Sequence, residues 1–270
     1  MASPFKTAIW LAILAGGGYL IYTRVPPARL TLWKVAGRAS VCPLANAVEA
    51  DANRHEQLFL ERERAGASRV LATDPAGYRQ IDTQLMHWWV PAGAESQLNV
   101  QLAWLQRQIF GTADQAPKSG DLVIDYGAHL GVWTRAALEL GAKQVVAFEP
   151  APAFHECYRR NLETEIAAGK VVLLDAPLPT IDDAVARLHL PRVDYIKLDA
   201  GGSEAAALTS ARKTLSRFHP KISAHSVYAA DEAGPLAAAV RAAWPNYSIT
   251  CGPCLESSDH RVRPETLYFW

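Results

Sequence analysis

From Gly120 onward, short apolar segments alternate with segments of helical periodicity, and this alternation limits the possible folds more than any other feature of the chain. Each apolar segment carries Val, Ile or Leu at adjacent positions, so both faces of the resulting strands are expected to be buried. Buried strands that alternate with helices are typical of a parallel sheet covered by helices on both faces. In chain order the strand-like segments are 121–127, 143–150, 170–175, 194–199 and 221–226.

The chain ends with two further strand-like segments, 248–252 and 266–270, joined by a loop. Right-handed crossovers between the earlier strands give a doubly wound layer, whose ligand site lies beyond the carboxyl ends of the strands. The predicted fold class is therefore α/β and Rossmann-like. We expect a mostly parallel, doubly wound sheet with a C-terminal antiparallel hairpin, over residues 116–270.

Near the start of the chain, residues 7–23 form a run of 17 residues without a charge. As a helix this run is about 26 Å long, at the short end of what crosses a hydrocarbon core of ~30 Å. The favoured interpretation is a transmembrane anchor over residues 1–24, with a cleaved signal peptide and a buried or interfacial helix as alternatives. More basic residues follow the run than precede it, so the positive-inside rule predicts a single-pass membrane protein whose larger part is cytoplasmic.

Residues 25–115 are predicted to form a juxtamembrane connection and a small α+β extension. A polar helix with one narrow apolar stripe is expected from Leu44 to about Ala65, and a second helix from about Ala94 to Phe110. Between these helices, 69–83 has the pattern of a hairpin around a Pro-containing turn, and 87–91 has the pattern of another strand.

The charges and cysteines narrow the function classes. The chain has 27 Lys plus Arg against 27 Asp plus Glu, so the formal net charge is zero and no nucleic-acid partner is expected. Four cysteines are too few for a disulfide-stapled secreted scaffold, which indicates a reducing compartment.

Cys251 and Cys254 form a Cys-Gly-Pro-Cys motif, which has three open interpretations. It is a structural turn, which the polar loop after it favours, a zinc site with His260, or a redox pair.

The strongest chemical signal is the loop Asp125-Tyr-Gly-Ala-His-Leu-Gly131, at the end of the first buried strand. Gly127 permits a tight turn and Gly131 lets the next helix approach the sheet, so the loop brings a carboxylate and backbone N–H groups close to a ligand. His129 stands where a dinucleotide-binding loop has its second glycine, which disfavours a pyrophosphate and with it a nucleotide-dependent oxidoreductase. The loop predicts a phosphate-free nucleoside with a cationic end that Asp125 attracts.

Glu149 closes the second strand, 22 residues after Gly127. A carboxylate at this place can accept hydrogen bonds from both ribose hydroxyls and would repel a 2′-phosphate. Together with the glycine-containing turn, Glu149 predicts a nucleoside ligand.

Five motifs follow one another in an order that is familiar from one enzyme family. They are DYGAHLG, VVAFEP, a TIDD segment at 180–183, YIKLDAGGSE at 195–204, and HPKIS. On these motifs, residues 118–228 resemble the FkbM family of S-adenosylmethionine-dependent methyltransferases. The resemblance implies a Rossmann-like class I methyltransferase fold, S-adenosyl-L-methionine as cofactor, and usually a hydroxyl group as methyl acceptor.

The resemblance also implies which residues form the site. The expected cofactor-binding residues are Asp125, Gly127, Ala128, His129, Gly131 and Glu149, with Asp175 on the adenine side. Asp199 and Glu204 fall on the acidic motif at the end of the fourth strand and are candidate catalytic residues.

The roles of these acids stay open at this point. Asp199 either orients or deprotonates the acceptor, although an Asp of ordinary pKa is a poor base toward an alcohol. Glu204 either takes part in the reaction or complements the dipole of the next helix. His129 and His225, at strand-end loops, are alternative bases or structural histidines. No metal site is predicted.

The sequence thus predicts an O-methyltransferase at the cytoplasmic membrane face, acting on a small-molecule, glycan or lipid-linked acceptor. Two departures from the family pattern support an alternative: Gly201, where a glutamate is usual, and only residues 176–180 between the third strand and the TIDD helix. The alternative is a degenerate, non-catalytic nucleoside-binding module of the same fold, also membrane anchored.

Overall fold

The structure is a computed structural model that describes residues 13–21, 24, 25, 28, 31, 32, 42–112, 114–174, 179–228, 233–256 and 262–270. From Leu44 onward its helices are α1 (Leu44–Val48), α2 (Ala50–Ala67), α3 (Glu95–Gln106), α4 (Val132–Glu139), α5 (Pro152–Asn161), α6 (Glu163–Ala167), α7 (Ile181–Arg187), α8 (Glu204–Ser210), α9 (Arg212–Phe218) and α10 (Ala233–Ala243). The strands are β1 (Arg69–Thr73), β2 (Tyr78–Asp82), β3 (His87–Pro91), β4 (Leu122–Tyr126), β5 (Gln144–Phe148), β6 (Val171–Leu174), β7 (Tyr195–Leu198), β8 (Lys221–His225), β9 (Ile249–Cys251), β10 (Cys254–Glu256), β11 (Val262–Pro264) and β12 (Thr266–Phe269).

A seven-stranded sheet in the order β6-β5-β4-β7-β8-β12-β9 forms the centre of the molecule. The five strands from β4 to β8 pair in parallel, whereas β12 pairs antiparallel with both β8 and β9. The predicted mostly parallel sheet with an antiparallel C-terminal part is confirmed. The connection between β9 and β12 also contains β10 and β11, an antiparallel pair that the sequence did not predict.

The strands of this sheet are buried because their apolar side chains pack on both faces. On one face, Ile124, Phe148 and Leu198 belong to a large cluster that also includes residues of α7 to α10. On the other face, Val123 and Val145 pack with residues of α4, and a neighbouring cluster connects the sheet to α5. The burial on both faces that the apolar runs predicted is therefore observed.

Strands β1, β2 and β3 form a separate antiparallel sheet that packs against α3, α4 and α5. The side chain of Asn161 joins the two parts: its Oδ1 accepts the amide of Trp89 at 2.6 Å, and its Nδ2 donates to the carbonyls of Trp89 and Leu130. This packing brings α3 beside the loop that follows β4, so a segment outside the large sheet lines the candidate site.

Two of the predicted helices are divided. The helix expected at 153–167 is α5 and α6, separated at Leu162, and the helix expected near 204–215 is α8 and α9, separated at Ala211. Both residues at the breaks are fully buried. We attribute each break to tertiary packing, because the local sequence contains no proline or glycine that would end a helix there.

The membrane anchor predicted over residues 1–24 is contradicted. In the described part of the chain, no helix is long and apolar enough to cross a membrane. Within the apolar run, the described helical residues 13–21 cover about 14 Å, against ~30 Å of hydrocarbon. Residues 7–12, 22 and 23 lie outside the described residues. The finding overturns the predicted single-pass placement with a cytoplasmic catalytic domain.

A disulfide between Cys42 and Cys254 joins positions 212 residues apart. The number of cysteines did not predict this pairing, because a single long-range bond needs only two of the four. The bond also excludes a redox pair within the Cys-Gly-Pro-Cys motif, since the partner of Cys254 is not Cys251. Burial raises the pKa of the Cys251 thiol to about 11, so this thiol stays protonated at neutral pH. His260 lies outside the described residues.

Candidate functional site

The loop after β4 lies directly on the end of β7. Gly127 has a φ of +78°, and a Cβ atom at this position would be 1.9 Å from the carbonyl oxygen of Asp199. Any side chain would therefore push the two strand ends apart, which explains why the turn needs glycine. The contact places the glycine loop, the end of β5 and Asp199 at one edge of the sheet, as the parallel topology predicts.

The backbone amides of this loop are bonded within the protein. Gly127 and Ala128 both donate to the carbonyl of Phe148, Gly131 donates to that of Ala128, and His129 donates to Oε2 of Glu149 at 2.8 Å. Glu149 Oε1 accepts the amide of Ala151, also at 2.8 Å. Glu149 is thus beside the loop, where it was predicted, and it holds the loop in place. With these amides occupied, the loop offers no cradle for a phosphate.

Asp125 does not face a ligand, which corrects the prediction that it attracts a cationic group. The residue is fully buried, with Oδ1 3.0 Å from Lys197 Nζ and Oδ2 accepting the hydroxyl of Thr134 at 2.6 Å. Lys197 Nζ also donates to the carbonyl of Gly127 at 2.6 Å. Asp125 therefore acts through Lys197, which fixes the position of the loop.

Asp199 lies at the centre of a cluster of titratable side chains. Its Oδ1 accepts the hydroxyl of Tyr228 at 2.6 Å and lies 3.0 Å from His225 Nδ1, whereas its Oδ2 is 3.9 Å from His129 Nε2. Burial raises the pKa of Asp199, but the hydrogen bond with His225 and the charges of His225, Lys197 and His129 outweigh it and hold the pKa below its usual value. Asp199 is therefore an ionised carboxylate at neutral pH and a poor proton acceptor.

A small cavity of about 20 Å³ adjoins this cluster, which is about the space that one water molecule needs. Polar groups of His129, Lys197 and Asp199 line one side of it, and aromatic side chains line the other. His129 has a φ of +49°, its side chain is 30% exposed, and its ring packs edge-on against Phe154. Its Nδ1 is buried and has no hydrogen-bond partner among the described residues.

Glu204 lies outside the cavity. It is fully buried in the first turn of α8, and its Oε1 accepts the amide of Ala200 at 2.6 Å. Glu204 therefore fixes the loop between β7 and α8, which agrees with a structural role. Gly201 in this loop has a φ of +64°, a conformation that favours glycine over the glutamate usual in the family.

The remaining predicted cofactor-binding positions are Ala128, Gly131 and Asp175. Ala128 lines the cavity, and Gly131 precedes α4 with a φ of +83°, where a Cβ atom would be 3.1 Å from the ring of Tyr158. Asp175 lies outside the described residues.

Three side chains of the candidate site were not predicted from the sequence: Lys197, Tyr228, and Trp104, whose ring packs against His225. Lys197 stands inside the YIKLD motif, and its position two residues before Asp199 on a buried strand was a signal that it needs a buried partner. Tyr228 and Trp104 have no local pattern that indicates the site, because they reach it from a loop after β8 and from α3. Among the described residues, no group of three or more His, Cys, Asp or Glu side chains is arranged to hold a metal ion.

The resemblance to a known family rests on the C-terminal part of the chain. Residues 171–247, which include β7, Asp199 and the loop after it, match the family model of the methyltransferase FkbM domain. The resemblance to the FkbM family is confirmed. A comparison with curated proteins finds no match.

Solved methyltransferase structures resemble the chain more distantly. The FkbM methyltransferase of Methylobacillus flagellatus KT is 16% identical, with a TM-score of 0.49 over 83% of this chain and 62% of that protein. The METTL16 methyltransferase domain is 15% identical, with a TM-score of 0.45 over 81% and 79% of the two chains. Precorrin-6y C5,15-methyltransferase of Geobacter metallireducens GS-15 is 16% identical, with a TM-score of 0.43 over 63% and 84%.

This chain thus spans about 62% of the length of the Methylobacillus FkbM protein. At these identities and TM-scores, the likenesses carry nothing about substrate, partners or activity.

Proposed function

We propose that the chain catalyses the S-adenosylmethionine-dependent methylation of a hydroxyl group. The observation that carries the proposal is the water-sized cavity between His129 and Asp199, directly beside the glycine loop. A cavity of this size admits one hydroxyl group, and it holds both a histidine and an ionised carboxylate. These are the groups that general base catalysis on an alcohol requires.

The described residues fit the cofactor of the family better than a phosphate-bearing nucleotide. Glu149 is buried beside the glycine loop, and each of its carboxylate oxygens keeps a lone pair for a ribose hydroxyl beside the one that binds an amide. The unpartnered Nδ1 of His129 next to the loop is the kind of buried group that a bound ligand satisfies. Asp175 is the expected contact on the adenine side. When bound, S-adenosyl-L-methionine supplies a methyl group already activated on a positively charged sulfur.

The 3.9 Å gap between His129 Nε2 and Asp199 Oδ2 is too long for a direct hydrogen bond. A hydroxyl group has a single proton and both atoms are acceptors, so its O–H donates to His129 Nε2 at about 2.8 Å, and Asp199 acts on the imidazole through its charge. This orientation fixes the direction of the oxygen lone pair, which is the main contribution that a protein makes to an in-line displacement.

His129 is the base in this proposal. Its imidazole would take the hydroxyl proton at Nε2 as the oxygen–methyl bond forms and the sulfur–methyl bond of the donor breaks, and the neighbouring Asp199 carboxylate would stabilise the resulting imidazolium. Asp199 stays ionised because its lowered pKa prevents it from taking the proton itself. His225 and Tyr228 hold the carboxylate in this orientation and are positioning residues.

Calorimetry with S-adenosylmethionine, its demethylated product and NAD⁺ tests the cofactor. We expect the first two to bind and NAD⁺ not to bind. Glu149→Gln should weaken binding about tenfold, whereas the exposed control Glu163→Gln on α6 should leave it unchanged. Absence of binding by the first two ligands, or tight binding of NAD⁺, would overturn the proposal.

Transfer of a radiolabelled methyl group tests the reaction. Paired acceptors with the same short carbon chain, 1-butanol and butylamine, separate oxygen from nitrogen chemistry without depending on a site for a long chain. We expect labelled ether from the alcohol, and a loss of about 100-fold in His129→Asn. Transfer to the amine alone would assign a nitrogen acceptor, and binding without transfer to either would favour a non-catalytic module.

A further inference from the structure

A groove of about 290 Å³ runs between α3 and α4, next to the catalytic cavity. We infer that this groove binds the apolar body of the methyl acceptor, and that the acceptor is an aliphatic alcohol with a long hydrocarbon chain. The inference rests on the proposed function and names the substrate class for the same site. It assigns substrate binding to a helix of the N-terminal extension, outside the segment that matches the family model.

The chemistry of the groove selects an apolar ligand. Among the described residues that line it, Glu139 is the one charged side chain, and most of the others are aliphatic, alanine or aromatic. Leu105 and Leu140 at the groove are 37% and 54% exposed, so two large apolar side chains face water. An aliphatic chain covers such surface at a gain of about 25 cal/mol per Å². A sugar or another polyol would find few hydrogen-bond partners there.

The groove and the cavity share a wall. Trp104, Leu105, Phe110 and Trp133 line both spaces, so only their side chains separate the apolar groove from His129 and Asp199. The ring of Trp104 also packs edge-on against His225, at 4.7 Å between centroids. An acceptor whose chain lies in the groove therefore has its hydroxyl end next to the catalytic cluster.

This shared wall has to move for the hydroxyl to enter, because its side chains stand between the groove and the cavity. Trp104 and Trp133 are the large side chains of the wall, and both come from helix surfaces rather than from the sheet. Binding of the chain in the groove and opening of the cavity are thus expected to occur together. Their indole fluorescence gives a direct signal for this event.

The test is a titration of the protein with 1-decanol in the presence of S-adenosylmethionine, followed by tryptophan emission, with glycerol as the polar comparison. Ala136, half-buried on α4, lines the groove, so Ala136→Phe should fill it and weaken decanol binding at least tenfold. Leu140→Glu places a charge at the exposed edge and should weaken binding without risk to the core. The matched control is Ala238→Phe, an exposed alanine in the middle of α10.

The outcomes separate the inference from the proposed function. The inference is supported if the control variant binds decanol and both groove variants do not. Calorimetry should then show unchanged S-adenosylmethionine binding in all three variants. The assignment of the groove as the acceptor site is overturned if all variants bind decanol with equal affinity, or if a protein that binds S-adenosylmethionine does not bind decanol. Either result leaves the proposed function intact. A wild-type protein that does not bind S-adenosylmethionine overturns the proposed function and the acceptor role together.

Discussion

Two aspartates end neighbouring parallel strands of the central sheet, and their surroundings differ in kind. Asp125 at β4 and Asp199 at β7 are both almost completely buried. Asp125 is paired with Lys197 and Thr134, whereas Asp199 is paired with two histidines and a tyrosine next to a cavity. Asp125 lies within β4 directly opposite Lys197, whereas Asp199 lies one residue beyond the end of β7. Both position and partners therefore separate the two residues.

The partners decide what each carboxylate can do. Lys197 Nζ lies 3.0 Å from Asp125 and also donates to the carbonyl of Gly127, so this pair is a fixed element that holds the glycine loop. An imidazole nitrogen can give or accept a proton, and a cavity adjoins His129 and Asp199, so the surroundings of Asp199 can exchange a proton with a substrate. A strand-end acid is therefore a candidate for chemistry only where its partners can carry a proton and a cavity adjoins it.

The largest expected effect comes from breaking the fixed pair. Lys197→Met leaves the Asp125 carboxylate buried without a counter-ion, which should lower the free energy of unfolding by about 3–5 kcal/mol. Urea unfolding followed by circular dichroism measures this loss. The double variant Asp125→Asn/Lys197→Met removes both charges and should recover most of it. A Lys197→Met variant as stable as the wild type would show that Asp125 is not held as a buried charge.

The second prediction concerns the other aspartate. Asp199→Asn keeps the shape but removes the charge that stabilises an imidazolium at His129, so kcat with a primary alcohol should fall about 100-fold. Binding of S-adenosylmethionine should change little, because Glu149 and the glycine loop are untouched. The exposed Asp183→Asn on α7 is the matched control. Full turnover by Asp199→Asn would remove this residue from the mechanism.

A smaller effect is expected from Tyr228, which donates to the same carboxylate at 2.6 Å. Tyr228→Phe removes one hydrogen bond while His225 keeps its own, so kcat should fall threefold to about tenfold, corresponding to about 0.5–1.5 kcal/mol. The side chain is 43% exposed, so the fold should not change. A loss as large as that of Asp199→Asn would mean that Tyr228 itself contacts the acceptor.

The fold could be predicted largely from the sequence, because the apolar runs mark strands that are buried on both faces. The strand predicted at 121–127 is β4 at Leu122–Tyr126, and the other parallel strands agree as closely. The helix breaks at Leu162 and Ala211 could not be predicted, since local propensity continues through both and tertiary packing decides.

Some of the residues that form the candidate site could be predicted from the sequence. Gly127, Glu149 and Asp199 meet because the carboxyl ends of parallel strands lie at one edge of a sheet. The orientation of Asp125 could not be predicted, because the sequence does not show whether a strand-end acid points to a ligand or to a lysine on the next strand. Tyr228 approaches from a segment without any motif, so no local pattern indicated it.

The errors have a common physical cause. The apolar run at 7–23 was interpreted from composition and length, and the cysteines from their number, yet both outcomes depend on structure that composition does not encode. The bond between Cys42 and Cys254 joins positions 212 residues apart. No local spacing could indicate that pair.

The smallest expected change in the free energy of unfolding concerns a partly exposed carboxylate, Glu156. It serves as the comparison for the buried pair of Asp125 and Lys197. Hydrogen bonds from Arg159 and Arg160 lower the pKa of Glu156 on α5 to about 2, against the opposing effect of burial. Because this pKa lies below the unfolded value of about 4.3, ionised Glu156 stabilises the fold above about pH 4, and the contribution is lost as the pH falls through about 2.

Glu156→Gln should therefore cost at most about 1 kcal/mol at pH 7, because the pair is open to solvent and Arg160 keeps a second partner in Asp74. The difference from the wild type should shrink toward pH 2 and also in 1 M NaCl, since salt screens exposed charges. The loss caused by Lys197→Met should persist in the same salt, because that pair is almost completely buried. Urea midpoints of both variants at low and high salt measure the comparison. If Glu156→Gln lowered the free energy of unfolding by the same amount in 1 M NaCl as at low salt, burial would not be what separates the two kinds of ion pair.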